Sequence, residues 1–205
     1  MKPIEEIQWV RPGLAVWGGY DASTKVECCS TAIQTPQGML VVDPLPLAPA
    51  GTEELGTPSG IYLTSGNHQR DSFAWKARFN IPIYAPVYSR PEVEADQWVL
   101  PGEVPALGGR VIDLPGGATG ESALLVDDVL IVGDAIIHLE GLAILPAKYC
   151  NNPRELSGAL PRLVELSFST ICFAHGWPIT QHAKKALTRL LVEESSLREG
   201  KRAHL

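Results

Sequence analysis

Apolar and β-branched residues come in short runs over the first part of the chain, at "LAVWGGY", "VECCSTAIQT" and "MLVVD", and "TPQG" (Thr35 to Gly38) supplies a turn between the last two. The pattern predicts a meander. Residues 44 to 60, "PLPLAPAGTEELGTPSG", are rich in Pro and Gly and read as a surface connection with a short helical piece around Thr52 to Leu55. "IYLTS" reads as a buried strand. A helix over "SFAWKARF" follows, capped by Asp71 and stopped at Asn80, with Phe73, Ala74, Ala77 and Phe79 on one face. "IPIYAP" then completes a strand, helix, strand unit. A second group of strands comes at "RVIDL", "SALLV" and "VLIVGD", the last two joined as a hairpin by the turn at Asp127 and Asp128. Asn152, Pro153 and Glu155 are a cap, a first-turn proline and a third-position acid, and they predict a helix through Leu166. "TICFAHG" is one more strand. From Gln181 to about Arg198, the positions Ala183, Leu187, Leu190, Leu191, Glu194 and Leu197 mark one mostly apolar face of a terminal helix.

Strands grouped twice, each group followed by helices, predict an α+β chain of two sheets packed face to face with helices outside. With 205 residues and 45% hydrophobic composition, the chain is expected to form one domain over residues 1–205. The formal net charge is −6 and the 17 Lys and Arg are scattered, so no basic stripe tracks a phosphate backbone, and nucleic acid is not an expected partner. No run approaches the roughly 20 apolar residues of a membrane span, and "MKPIEEIQWV" lacks the apolar core of a secretion signal, so a cytoplasmic, water-soluble protein without a membrane partner is expected. Cys28, Cys29, Cys150 and Cys172 form no CxxC pair and read as buried thiols.

Four segments, in order, carry a resemblance: "LVVDP" (40 to 44), "LTSGNHQRD" (63 to 71), "LPGGATGESALLVDDVLIVGDAI" (114 to 136) and "ICFAHGWPI" (171 to 179). Together they resemble the metallo-β-lactamase fold of hydrolases, including the glyoxalase II type, over roughly residues 13 to 190. The resemblance implies a four-layer αββα sandwich. In active members the second segment reads L-T-H-x-H-x-D-H, because two metal ions about 3.5 to 4 Å apart need imidazoles and a carboxylate from one loop. At those ligand positions this chain has Ser65, Asn67, Gln69 and Arg70, and Gly117 stands where the third segment usually carries histidine. Asp134 matches the bridging carboxylate and His175 the last histidine. The resemblance therefore implies a degenerate member without the ordinary dinuclear zinc site. No cofactor is expected, with zinc or iron only at a rearranged site.

Two consequences are expected within the site. Arg70 pairs with Asp134, replacing a cation near the old metal position. His68 occupies a spacer position and Asp71 caps a helix, and these two with Asp134 and His175 form the alternative metal set. Ser65 as a nucleophile with His175 and Asp134 lacks a G-x-S-x-G turn, "GGATGE" lacks the Walker lysine, and Glu121 has no assigned role. Three functions remain open. One is a non-catalytic cleft, lined by Ser65, Asn67, His68, Arg70, Asp134 and His175, that binds a small polar or anionic ligand through Arg70. Another is a hydrolase with a single metal or none, with His175 as general base. The last is an interaction subunit with a vestigial pocket, serving a partner or a second copy in a homo-oligomer.

Overall fold

The computed structural model describes residues 1–202, and side chains as far as residue 197. The expected meander extends by one strand at its start: β1 (Gln8–Arg11), β2 (Leu14–Asp21), β3 (Val26–Thr35) and β4 (Gly38–Val42) pair antiparallel in succession. Helix α1 (Pro49–Leu55) returns the chain to β5 (Pro58–Tyr62), and α2 (Ser72–Phe79) carries it to β6 (Ile83–Pro86). β7 (Gln97–Val99) closes a seven-stranded sheet in the order β1 to β7, with β4 to β7 parallel. The second sheet takes β8 (Gly102–Val104), β9 (Gly109–Asp113), β10 (Ser122–Val126) and β11 (Val129–Val132) as antiparallel neighbours. A hairpin, β12 (Ile136–His138) and β13 (Leu142–Ile144), stands apart before α3 (Pro153–Ala159) and α4 (Pro161–Val164). β14 (Thr170–Phe173) then joins β11 in parallel, and α5 (Ala183–Arg202) ends the described chain.

Period-two alternation sorts the strand residues into three apolar layers. Leu40 and Val42 of β4, Tyr62 of β5, Leu124 and Val126 of β10, and Val129 and Ile131 of β11 fill the space between the sheets. Their neighbours Met39, Val41 and Ile61 point the other way, onto Leu55 of α1 and Trp75 of α2. Ala123, Leu130, Val132 and Phe173 pack beneath Leu156, Leu160, Leu163, Ala183 and Leu187 of the other helical layer. The architecture is the expected αββα sandwich.

Two helices differ from expectation. The buried face of α2 is Ser72 and Trp75, with Phe79 packed against the core, whereas Phe73 is 48% exposed. Trp75 wins because Trp17 of β2 offers it a stacking partner, at 5.6 Å between centroids, and both indole N–H groups donate to the Leu45 carbonyl at 3.3 and 3.1 Å. The helix expected from Asn152 to Leu166 is two helices, since Pro161 has no N–H to continue the ladder. Its start is as expected: Asn152 Oδ1 accepts from the Glu155 N–H at 3.3 Å.

β4, β5, β11 and β14 lie in two parallel pairs, and the residues just past their ends form the site. They are Asp43, Thr64, Asp134 and His175 respectively.

Candidate metal centre

Asp43 leaves β4 with a left-handed backbone, φ 50°, and is 1% exposed. Its carboxylate is held by the loop after β5: the Thr64 N–H donates to Oδ1 at 2.8 Å and the Thr64 hydroxyl to Oδ2 at 2.6 Å. Ser65 Oγ accepts from the Asn67 N–H at 3.3 Å and starts a single 3-10 turn over Gly66–His68. That turn directs the His68 ring inward, where it is 2% exposed. Its Nδ1 lies 2.9 Å from Asp43 Oδ2 and 2.8 Å from Thr64 Oγ1, and its Nε2 lies 3.1 Å from Asp134 Oδ1. His175, past the end of β14, places Nδ1 2.8 Å from the Glu27 carbonyl and Nε2 3.0 Å from the same Asp134 Oδ1. Asn67 donates from Nδ2 to the other oxygen, Asp134 Oδ2, at 2.8 Å.

Proton accounting at the two rings defines the chemistry. Each Nδ1 faces acceptors, so each carries a hydrogen, and in a neutral imidazole Nε2 is then a lone pair. Both lone pairs face one carboxylate oxygen. Acceptors held this close need a proton or a cation between them. Without a metal, each ring must hold a second proton, and the titration directions agree. Against the cost of burial, Asp43 and Asp134 draw His68 up to about 10. Burial likewise opposes the charged form of His175, yet the Asp134 bond leads the interactions that leave its proton affinity raised. Asp134, despite its own burial, is held well below the ordinary carboxylate range by the two rings, and Asp43 is also lowered. A divalent ion carries the same charge as the two Nε2 protons that it would displace.

The donor set fits such an ion. His68, Asp134 and His175 offer ligand atoms within 4.8 Å of one another. Catalytic zinc sites use three protein ligands, and two imidazoles with one carboxylate also make the facial triad of non-haem iron. The anchoring matches too, because a metal-binding histidine usually donates its other N–H to a carboxylate or a carbonyl. Asp43 does this for His68, and the Glu27 carbonyl does it for His175.

The remaining expected site residues take different places. Arg70 does not pair with Asp134. Its backbone turns left-handed at φ 38°, and Nη1 donates to the carbonyls of Cys29 and Asp43 at 2.7 and 3.0 Å, while Nη2 donates to Ala174 at 3.1 Å. Asp134 is already met by Asn67, His68 and His175. Ser65 is fully buried as the turn's cap, Asn67 is exposed over Asp134, and His175 is partly exposed. His68, expected at a spacer position, is the centre of the network. Asp71 stands outside the cluster of His68, Asp134 and His175. Nor does its carboxylate cap α2: its backbone, φ −96° and ψ 14°, is not the extended one that an N-cap side chain needs, and only its carbonyl accepts, from the Trp75 N–H at 3.1 Å. Gln69 turns away and ties down the strand-free segment at Glu94.

Asp43 and Thr64 lie in the segments "LVVDP" and "LTSGNHQRD" that carry the resemblance, but neither is expected to take a role in the site. Burial pushes the thiols of Cys29 and Cys172 up to about 11 and about 12, so both are inert as nucleophiles. "GGATGE" is a close-approach turn, as expected: a Cβ on Gly120, at φ 67°, would meet the Ser89 backbone nitrogen at 2.4 Å.

A family model described as the metallo-beta-lactamase superfamily matches residues 7–194. A metallo-β-lactamase from Erythrobacter litoralis, solved with β-mercaptoethanol in its active site, superimposes with a TM-score of 0.74 at 13% identity, covering 91% of this chain and 96% of that one. An archaeal metallo-β-lactamase superfamily protein from Sulfolobus tokodaii gives 0.67 at 16% identity, over 88% and 85% of the two chains. A metallo-β-lactamase family protein from Thermus thermophilus gives 0.66 at 17% identity, over 94% and 82%. No curated protein sequence matches the chain.

Proposed function

The chain belongs to the metallo-β-lactamase superfamily, and we propose that it acts within it as a single-metal hydrolase, holding one divalent ion on His68 Nε2, Asp134 Oδ1 and His175 Nε2. The reading rests on one observation: two imidazoles, each anchored at Nδ1 by an acceptor, aim Nε2 at the same carboxylate oxygen. The paired site of the wider family is not rebuilt, since Ser65, Asn67, Gln69, Arg70 and Gly117 offer none of its usual donors. A divalent ion held by these residues would supply Lewis acidity to a substrate or a water.

The chain's own residues would prepare that site. Asn67 holds Asp134 Oδ2 and so presents Oδ1 to the centre. Asp43 keeps His68 in the tautomer that leaves Nε2 as donor to the ion. His175 and Asn67 reach solvent, so a substrate would approach from their side. Arg70, engaged with three carbonyls, supplies fixed positive charge beneath the site, which suits a small polar or anionic substrate.

A second reading is favoured by His68 alone. An imidazolium clamped between Asp43 and Asp134 is already a complete cation, and the cleft would then bind a small polar ligand without metal. Elemental analysis separates the two. The full chain, purified without chelator and offered zinc, iron and manganese, is expected to hold about one ion per chain. An Asp134→Ala, His175→Ala double variant is expected to hold none. Metal absent from the parent, or retained by the double variant, would retire the single-metal reading, and ligand screens of the cleft would follow. If metal is found, thioesters and phosphodiesters are the first substrates to assay.

A further inference from the structure

The helical cover of the second sheet is incomplete beside its edge strand β8. Arg110 and Ile112 of β9 are two residues apart and so share a face, the one that sends Ile112 into the same apolar layer as Leu163 of α4. Between that face and the end of α4 lies a groove of about 510 Å3, bordered by Arg110, Ile112, Asp113, Arg162, Glu165 and Leu166. It shares no residue with the metal centre.

Two arginines and two acids therefore border one groove, and they do not close on one another. None of the four side chains makes a hydrogen bond or an ion pair among the described residues. By contrast, Arg11 and Arg189 pair with acids, Arg70 donates to carbonyls, and Arg78 and Arg90 lie over the rings of Phe79 and Trp98. Arg162 and Glu165 are three residues apart at the end of α4, a spacing at which opposite charges commonly meet. Asp113 is partly buried, and burial raises its carboxyl above the ordinary range against the pull of Arg162. Opposite charges held apart around one concave surface leave both kinds of polar contact unmade, and Ile112 and Leu166 add apolar surface beside them.

We infer that this groove is a second ligand site, and that its ligand is a small zwitterion with an apolar body, an α-amino acid or dipeptide, whose carboxylate meets the guanidiniums and whose ammonium meets Asp113 and Glu165. The charge pattern sets the class. A simple anion would gain the arginines but face two carboxylates, and a simple cation would meet the reverse, so only a ligand bearing both signs satisfies both pairs. The size of the groove suits such a ligand, since small-molecule sites span about 300 to 1,000 Å3. The inference goes beyond the single-metal reading and does not depend on it.

The test is isothermal titration calorimetry of the full chain with L-phenylalanine and glycyl-L-phenylalanine, beside two analogues of the same body that carry one charge each, 3-phenylpropionate and phenethylamine. At least one zwitterion is expected to bind, and both analogues to bind about 10-fold more weakly than it does. Arg162→Gln and Asp113→Asn are each expected to weaken the zwitterion about 10-fold while melting at the parent's temperature. The chelator-treated parent and the Asp134→Ala, His175→Ala double variant are expected to bind it as the parent does. Equal binding of 3-phenylpropionate would reveal a plain anion site and overturn the assigned class. Binding that is lost with chelator and in the double variant would place the probe at the metal centre and overturn the site. Binding unchanged in both Arg162→Gln and Asp113→Asn, or no binding of either zwitterion at about 10 mM, also overturns it. None of these outcomes bears on whether His68, Asp134 and His175 hold an ion.

Discussion

At the scale of single residues, the site is a set of buried polar groups whose partners are nearly all accounted for. Arg70 illustrates how much one side chain holds. Its guanidinium accepts no bond and gives three, to the Cys29 carbonyl within β3 and to the carbonyls of Asp43 and Ala174 just past the ends of β4 and β14, so it joins both sheets beside the site residues. Bonds from a charged donor contribute about 1.5 to 3 kcal/mol each in net terms, and carbonyls left unpaired add a penalty. Arg70→Met is expected to lower stability by about 3 kcal/mol in urea unfolding, with Arg70→Lys recovering only part, because a single ammonium cannot reproduce the fork. A methionine variant within about 0.5 kcal/mol of the parent would show that water replaces the guanidinium at these carbonyls.

Among elements, α2 is the clearest case of a local pattern overruled by its neighbours. Its apolar residues Phe73, Ala74, Ala77 and Phe79 suggest one inner face, yet the helix is rotated so that Trp75 meets Trp17 and shares the Leu45 carbonyl with it. Trp75→Ala is expected to cost about 3 to 5 kcal/mol, as large-to-small changes in a packed core do. Phe73→Ala, at a half-exposed position, is expected to fall within about 0.5 kcal/mol of the parent. Equal losses at both positions in denaturant titrations would contradict the helix orientation. The short or exposed strands β1, β7, β8, β12 and β13 leave no clear alternation, since three or four residues give a period of two little to act on. α4 separates from α3 for a reason that is plain in the chain, namely Pro161.

For the whole molecule, the two sheets are tied at the edge away from the site by Asp128, in the β10–β11 turn, which receives bonds from Arg11 of β1 and from Ser169. Those bonds, Arg11's first, bring the Asp128 carboxyl down to about 2. A carboxyl lowered on folding contributes stability above its unfolded value, near 3.8, and loses it as pH falls through about 2. The pair is 41% and 45% exposed, so the contribution is at most about 1 kcal/mol. The stability gap between the parent and Asp128→Asn, from urea midpoints, is expected to be flat from about pH 7 to 5, to shrink below that and to be mostly lost by about pH 2. A gap undiminished at pH 2 would assign the effect to packing instead. The meander, the strand, helix, strand unit, the central hairpin, the packing of two sheets between helices and the replacement of the family's usual ligand residues at positions 65, 67, 69, 70 and 117 were all legible in the sequence, because alternation, turn residues and strand-end motifs are local properties. What the chain could not disclose is direction across space. That His68 rather than a motif position enters the centre, that Asp43 orients it, that Arg70 turns to carbonyls instead of Asp134, and that Glu121 fills the space beside Gly117 were decided only when four strand ends came together. Side chains distant in the sequence then had to satisfy one another's protons and charges in a largely buried space that opens to solvent only at Asn67 and His175.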